Sequence, residues 1–282
     1  MVRKMEIKTR NREQGEMHLR MTQGMGRVAW IFGLLICVGC AGRIPMPEHI
    51  KSIDVPSVAA AMQKQANQLE SFTCEMRVTF FGPDGRLKGT VSLAAMRPGK
   101  FRYNLMGPHG GVLEAFATNG QTFELSKMSE SRFLYGPATP DTLDRLLFFA
   151  PLNLDAEGWV ELLFGVVSIP DDAQMNYDDK TGQLVLSWTQ VNKAMRVHVD
   201  PETMQMSRLE VWVDEQLVCD VTIADRHGSG LPAKLVLNAP RDDVQATLKT
   251  RDIMLNPALT EKTFLLSPPR GVKPEYWGPL AQ

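Results

Sequence analysis

From Phe72 to Leu255 the chain is written mostly in twos. Phe72, Cys74, Met76, Val78 and Phe80 alternate with Thr73, Glu75, Arg77 and Thr79. A side-chain period of two is the mark of a strand with one face buried and one face wet. Gly82-Pro83-Asp84-Gly85 then turns the chain into Arg86 to Met96, and Pro98-Gly99 turns it again. Phe101, Tyr103 and Leu105 alternate with Lys100, Arg102 and Asn104. Val112 to Thr118 and Gln121 to Lys127 flank Asn119-Gly120, the dipeptide that best signals a tight hairpin. Arg132 to Tyr135 is a further short strand. From Met175 onward, residues 183–189, 193–199, 205–213, 216–224, 234–240 and 244–255 repeat the pattern, with Asp200-Pro201-Glu202-Thr203 as a clear turn. Short connections between so many strands predict an antiparallel meander, too large for a small sandwich. The expected architecture is mainly β (α+β): one curved sheet of about 11 strands, an incompletely closed antiparallel barrel.

Three stretches break the period. Ser57 to Glu70 reads as an amphipathic N-terminal helix, with Ser57 as its cap and Val58, Met62 and Leu69 on one stripe. Thr139-Pro140-Asp141 opens a second helix carrying Leu143, Leu146, Leu147, Phe148 and Phe149, and Pro151 ends it. Residues 155–164 form a third, with Trp159, Leu162 and Leu163, stopped by Gly165. The last two are short and strongly apolar. They are either a hairpin buried in a core or a lid over an apolar cavity in the concave face.

Composition narrows the chemistry. Of 31 Lys+Arg and 32 Asp+Glu, seven and three fall within the first 40 residues, so the body carries about five more acidic than basic side chains. That balance argues against nucleic acid, which requires a basic stripe. His49, His109, His198 and His227 show no metal-ligand spacing, so no metal is expected, and no nucleophile motif or phosphate loop is present. An enzyme is not expected. Cys74 and Cys219 sit on the apolar phase of their strands and read as buried free thiols, with a disulfide as the alternative. His198 shares the outward phase with Arg196 and is expected at the surface.

The N-terminus reads as an export signal. Arg27 precedes the uncharged run Val28 to Val38, too short to span a bilayer comfortably, and small residues flank Cys40. An uncleaved anchor helix is the alternative. Cys37-Val38-Gly39-Cys40 resembles a bacterial lipobox, with Cys37 where a leucine is usual. The resemblance implies no dissociable cofactor, but a diacylglycerol and an N-acyl chain on Cys40. Residues 1–39 are then signal peptide, 40–56 an extended tether with Pro45, Pro47 and Pro56, and 57–282 one domain. Ala41 and Gly42 follow Cys40, with no aspartate that would signal inner-membrane retention.

Further motifs point the same way. Arg97-Pro98-x-x-Phe101 resembles a strand-end motif of the LolA/LolB lipoprotein-carrier superfamily, on its carrier side. Phe101-Arg102-Tyr103-x-Leu105, followed by Gly107-Pro108-His109-Gly110, resembles the segment that precedes the receptor's protruding loop. Thr263-Phe264-Leu265-Leu266 with Pro268-Pro269-Arg270-Gly271-Val272 resembles the superfamily's terminal motif, a phenylalanine-bearing short strand before Pro-Pro-x-Gly-Val. The resemblance runs from about Ser57 to Val272.

It implies a half-barrel with helices in its concave face, and a cavity lined by Phe101, Tyr103, Leu105, Leu143, Leu146, Leu147, Phe148, Trp159, Leu162 and Leu163. It implies that Arg97 gates the lid through backbone carbonyls. It implies that the loop Gly107, Pro108, His109, Gly110 and Gly111 touches membrane or client. The implied partners are a periplasmic lipoprotein carrier, client lipoproteins and the outer membrane, for a monomer anchored there and facing the periplasm. His109 departs from the receptor's leucine, and histidine is only amphipathic. A structural or interaction lipoprotein that uses the same sheet to bind a partner is the rival reading; a filled interior would favour it.

Overall fold

The computed structural model describes residues 43–278, apart from Asp84, Pro108, Phe148, Phe149 and Val191. Cys40, Pro108 and Phe148 therefore lie outside the described residues. All fourteen described strands join one sheet: β1 Ser71–Gly82, β2 Gly85–Met96, β3 Lys100–Met106, β4 Val112–Thr118, β5 Thr122–Lys127, β6 Arg132–Pro137, β7 Gln174–Asp178, β8 Gln183–Gln190, β9 Lys193–Asp200, β10 Gln205–Val213, β11 Gln216–Arg226, β12 Pro232–Ala239, β13 Val244–Leu255 and β14 Pro274–Tyr276. Their order across the sheet is β14-β6-β5-β4-β3-β2-β1-β13-β12-β11-β10-β9-β8-β7. Two meanders thus meet where β1 pairs with β13, and the sheet does not close into a barrel.

The expected count of about 11 strands is corrected to fourteen. The clearest addition is β14. Its three residues, Pro274-Glu275-Tyr276, carry no alternation to read, and they pair in parallel with the otherwise free edge of β6. A tertiary edge, rather than local pattern, makes that strand.

Three α-helices are described: α1 Val55–Ala66, α2 Pro140–Leu146 and α3 Ala156–Leu163. The first begins earlier than expected because Asp54, not Ser57, caps it, its Oδ1 accepting from the Ser57 N–H at 2.9 Å. Thr139 caps α2 and Asp155 caps α3, each through its side-chain oxygen. At the far end of α3, the Gly165 N–H donates to Leu162 O at 2.9 Å and the Val166 N–H to Glu161 O at 3.0 Å. That paired ending needs a left-handed residue, and Gly165 supplies it with φ +80°.

The helices cover one face of the sheet. Val58 and Met62 of α1, Leu143 of α2, and Trp159, Val160 and Leu162 of α3 share a single core with Phe72, Leu93, Phe101, Phe116, Val197, Leu209 and Leu237 from the strands. The other face carries a smaller cover. The 3-10 turn Glu261–Phe264 crosses near β3, with the Arg102 guanidinium donating to Thr263 O and Leu265 O and the Leu266 N–H donating to Glu124 Oε2. Phe264 is buried there. The segment expected as a phenylalanine-bearing strand is therefore a 3-10 turn: the Thr260–Thr263 capping box bends it before it can extend.

Part of the segment read as a tether lies on the body. The Ile44 N–H donates to Asp179 O at 2.7 Å, the Tyr177 hydroxyl donates to Pro45 O at 3.1 Å, and Ile50 is 3% exposed.

Candidate functional site

Strand alternation decides which side chains meet the helices. On β1, β2 and β3 the inward series are Phe72, Cys74, Met76, Val78, Phe80; Ala95, Leu93, Val91, Gly89, Leu87; and Phe101, Tyr103, Leu105. Burial falls along each series. Phe72, Cys74, Met76, Ala95, Leu93 and Phe101 are buried, while Val78, Phe80, Val91 and Leu105 are half-buried and Leu87 is 52% exposed. Leu248 of β13, opposite Val78, is half-buried too. Gly89 gives Leu105 room: a Cβ there would stand 2.9 Å from Leu105 Cδ1. The inner face is thus covered toward the 97–99 turn and open, with an apolar lining, toward the 82–85 turn.

The glycine loop borders that open sector. The Gly107 N–H donates to Gly111 O at 2.8 Å and the Gly110 N–H to Gly107 O at 3.0 Å, closing a tight turn with His109 exposed on it. Val112 and Leu113, just beyond, are 37% and 44% exposed. The loop thus presents a histidine with two aliphatic side chains beside it.

Of the expected cavity residues, Phe101, Leu143, Leu147, Trp159 and Leu162 are buried in the shared core, and Leu146, Leu163 and Leu105 are half-buried. Tyr103 stacks on Phe116 at 5.5 Å and its hydroxyl donates to Glu114 Oε1 at 2.8 Å. Burial, with the Glu114 charge beside it, drives the Tyr103 phenol well above its ordinary range. The helices fill the face they cover, so the two apolar helices are at once core and cover.

Arg97 lies at the seam between this cover and the β2–β3 turn. Its Nη1 donates to Asn67 Oδ1 at 2.7 Å, and its guanidinium sits 4.6 Å from the centre of the Phe164 ring. The carbonyl-binding role expected of Arg97 falls instead to a residue that sequence reasoning passed over. Arg226, at the end of β11, donates from Nη2 to Gly165 O at 3.0 Å and Met206 O at 2.6 Å, and from Nη1 to Gly230 O at 2.6 Å. It thereby fastens the exit of α3 to the start of β10 and to the β11–β12 turn. Burial pulls its pKa down to about 10, so it remains a cation at neutral pH. Across the core, Asp144 of α2 accepts from Lys193 Nζ at 3.2 Å and from the Asn153 N–H at 2.7 Å. No sequence signal marks Arg226, because its three acceptors come from distant segments.

The outward face of β9–β11 holds a polar network. Glu210 accepts from Trp212 Nε1 at 2.8 Å and pairs with Arg208 at 3.0 Å, which also reaches Asp220. His198, expected at the surface, is drawn to 3.5 Å from Glu210 with its side chain only 15% exposed. Cys74 and Cys219 are both free and buried, as expected. Among the described residues, no group of three or more His, Cys, Asp or Glu side chains could hold a metal ion, and no helix is long and apolar enough to cross a membrane.

No known protein family's sequence model matches the chain, and no curated protein does. Solved structures do. A DUF1329 family protein from Desulfovibrio piger superposes with TM-score 0.56 at 10% identity, over 76% of this chain and 98% of that one. A LolA superfamily protein from Nitrosomonas europaea gives 0.52 at 11%, over 76% and 99%. A Vibrio parahaemolyticus protein described as an outer membrane lipoprotein-sorting domain gives 0.52 at 12%, over 73% and 95%. The fold is LolA/LolB-like, a mainly β open sheet wrapped on helices.

Proposed function

We propose that this chain is an outer-membrane lipoprotein of the receptor type, anchored through Cys40. It would hold the acyl chains of client lipoproteins on the inner face of its sheet, receive them from a periplasmic carrier, and pass them to the bilayer. One observation carries the reading. A continuous apolar strip, formed by Phe80, Leu87, Val91, Leu105 and Leu248, is left half-open on the face whose other end is the core. Acyl chains entering there gain about 0.8 kcal/mol per buried methylene, and can reach further inward only by displacing the helical cover. No bond needs to be made or broken. Handover requires only graded affinity from carrier to receptor to membrane. The similarity to a lipoprotein-sorting domain supports the same reading.

A second reading, an envelope lipoprotein that binds a partner protein through this fold, is favoured by the filled part of the inner face. The test is to isolate the full chain carrying Cys40→Ser and weigh it intact. Co-purified lipid or lipopeptide supports the first reading; a bare chain that takes up no added lipopeptide supports the second.

A further inference from the structure

Residues directly opposite on neighbouring strands stand about 4.5–5.5 Å apart at Cβ, so like charges facing each other destabilise a sheet. The outward face of this sheet nevertheless carries a run of them. Lys234 of β12 faces Lys249 of β13, and Lys249 faces Arg77 of β1. Three cations thus stand abreast on three adjacent strands in the middle of the sheet. Further along the same face of β2, Lys88 stands opposite Thr79 and Arg86 opposite Phe81. Arg77, Arg86, Lys88 and Lys249 are exposed, and Lys234 is half-buried. The body as a whole carries more acidic than basic side chains, so this concentration runs against the composition.

The cations are also left without counter-charges. Lys100, Lys127, Arg132, Lys193 and Arg208 each pair with a carboxylate, but among the described residues none of these five forms an ion pair. Glu75 and Asp225 stand opposite Arg251 and Lys234, and neither closes a pair. Hydroxyls fill the gaps on the same face: Thr90 faces Arg77, and Thr247 faces Thr79. The surface therefore offers charged and neutral donors spread over four strands, which suits an array of anions rather than a single one. At its edge, next to the 82–85 turn, Phe81 is 42% exposed with the Arg86 guanidinium 5.1 Å from its ring centre. An acidic protein would satisfy the cations alone. A bilayer satisfies both, since phosphates attract Lys and Arg while aromatic rings settle at headgroup level.

We propose that the outward face of β12, β13, β1 and β2 docks on a bilayer that carries anionic phospholipids, with phosphates on Lys234, Lys249, Arg77 and Lys88 and with Phe81 among the headgroups. The proposal goes beyond the acyl-binding reading and does not need it, because the docking face is the reverse of the face on which acyl chains would lie. The two have one consequence together. Phe81 adjoins the turn that bounds the open end of the inner face, so docking brings that opening to the bilayer.

The experiment floats the full chain carrying Cys40→Ser with vesicles of phosphatidylcholine alone, or of phosphatidylcholine and phosphatidylglycerol in equal parts. The N-terminal segment is common to all variants, so differences between them read the face. Lys249→Gln should weaken partition onto the anionic vesicles about fivefold, and Arg77→Gln, Lys234→Gln and Lys249→Gln together about a hundredfold, with less than about twofold change on phosphatidylcholine. Lys64→Gln, Arg145→Gln and Lys180→Gln together remove the same net charge from other exposed positions and should cost less than about a tenth as much, because distant charges are screened. Phe81→Ser should cost about three- to tenfold on both compositions, since its contribution is apolar. Lys249→Gln takes the middle charge out of the row and should unfold at or above the wild-type urea midpoint; a lower midpoint would make the row structural and overturn the proposal. Equal losses for the two triple variants, or a wild type that does not prefer anionic vesicles, would overturn it too. So would row-dependent retention on polyglutamate without vesicle binding, which gives the face to an acidic protein. Lipopeptide loading should match wild type in the row variants, and none of these failures touches the acyl-binding reading.

Discussion

Gly165→Ala tests whether Arg226 fastens the helical cover. Gly165 has φ +80°, and a Cβ built there would stand 2.4 Å from Arg226 Nη1 and 3.2 Å from Pro232 Cδ. Alanine at a left-handed position costs about 1–2 kcal/mol in backbone strain alone. The methyl group also pushes the guanidinium off its acceptors. Each hydrogen bond to a charged group is worth about 1.5–3 kcal/mol, so losing one brings the total to roughly 2.5–5 kcal/mol. For a domain of this size that lowers the melting temperature by on the order of 10 °C. Arg226→Ala should cost a similar amount by leaving the Gly165, Met206 and Gly230 carbonyls short of a donor. The double variant decides the cause. If the two residues act through one contact, the combined cost falls short of the sum by about 1.5–3 kcal/mol in a urea-denaturation cycle. Hydrogen exchange should show the amides of α3 opening about 10–100-fold faster in either single variant. Additive costs, with α3 protected as in wild type, would refute the claim that Arg226 holds the cover.

Two further outcomes follow from the geometry. In reconstituted handover from carrier to liposome, His109→Leu should keep or raise the rate and His109→Asp should lower it, since an added charge is costly among acyl chains; one common rate would remove the loop from delivery. The thiols of Cys74 and Cys219 are each pushed up to about 12 by burial, so both stay protonated in the fold. Their contribution to stability is whole below the ordinary thiol pKa of about 8.5 and is lost as pH rises from there toward about 12. Urea midpoints should therefore drop over that range, less so in Cys219→Ala, and a thiol reagent at neutral pH should label the chain only after unfolding.

Much of the sheet was legible because a half-buried strand must alternate, and β1 to β5 and β8 to β13 do. The covering helices were legible from Thr139-Pro140 and Gly165, residues whose backbone preferences mark ends. What alternation could not show was β14, whose pairing depends on a vacant edge, and Phe264, whose strand-like neighbours are bent by a capping box. The site divides in the same way. His109 stood out as the one large side chain in a glycine loop, and it is exposed there. Arg97 reached the α3 seam through a motif, but its acceptor is Asn67. Arg226 acquires meaning only when Gly165, Met206 and Gly230, distant in the chain, converge on it.

The central claim is that acyl chains lie on the inner face at its open end. A lipopeptide with a photoreactive group at the middle of one acyl chain, bound to the full chain carrying Cys40→Ser and irradiated, reports this by peptide mass mapping. The account predicts cross-links to Phe80, Leu87, Val91, Leu105 and Leu248, and none to Thr79, Thr90, Asn104 or Lys249 on the opposite face of the same strands. Cross-links on that opposite face, or an even spread over both, would contradict it.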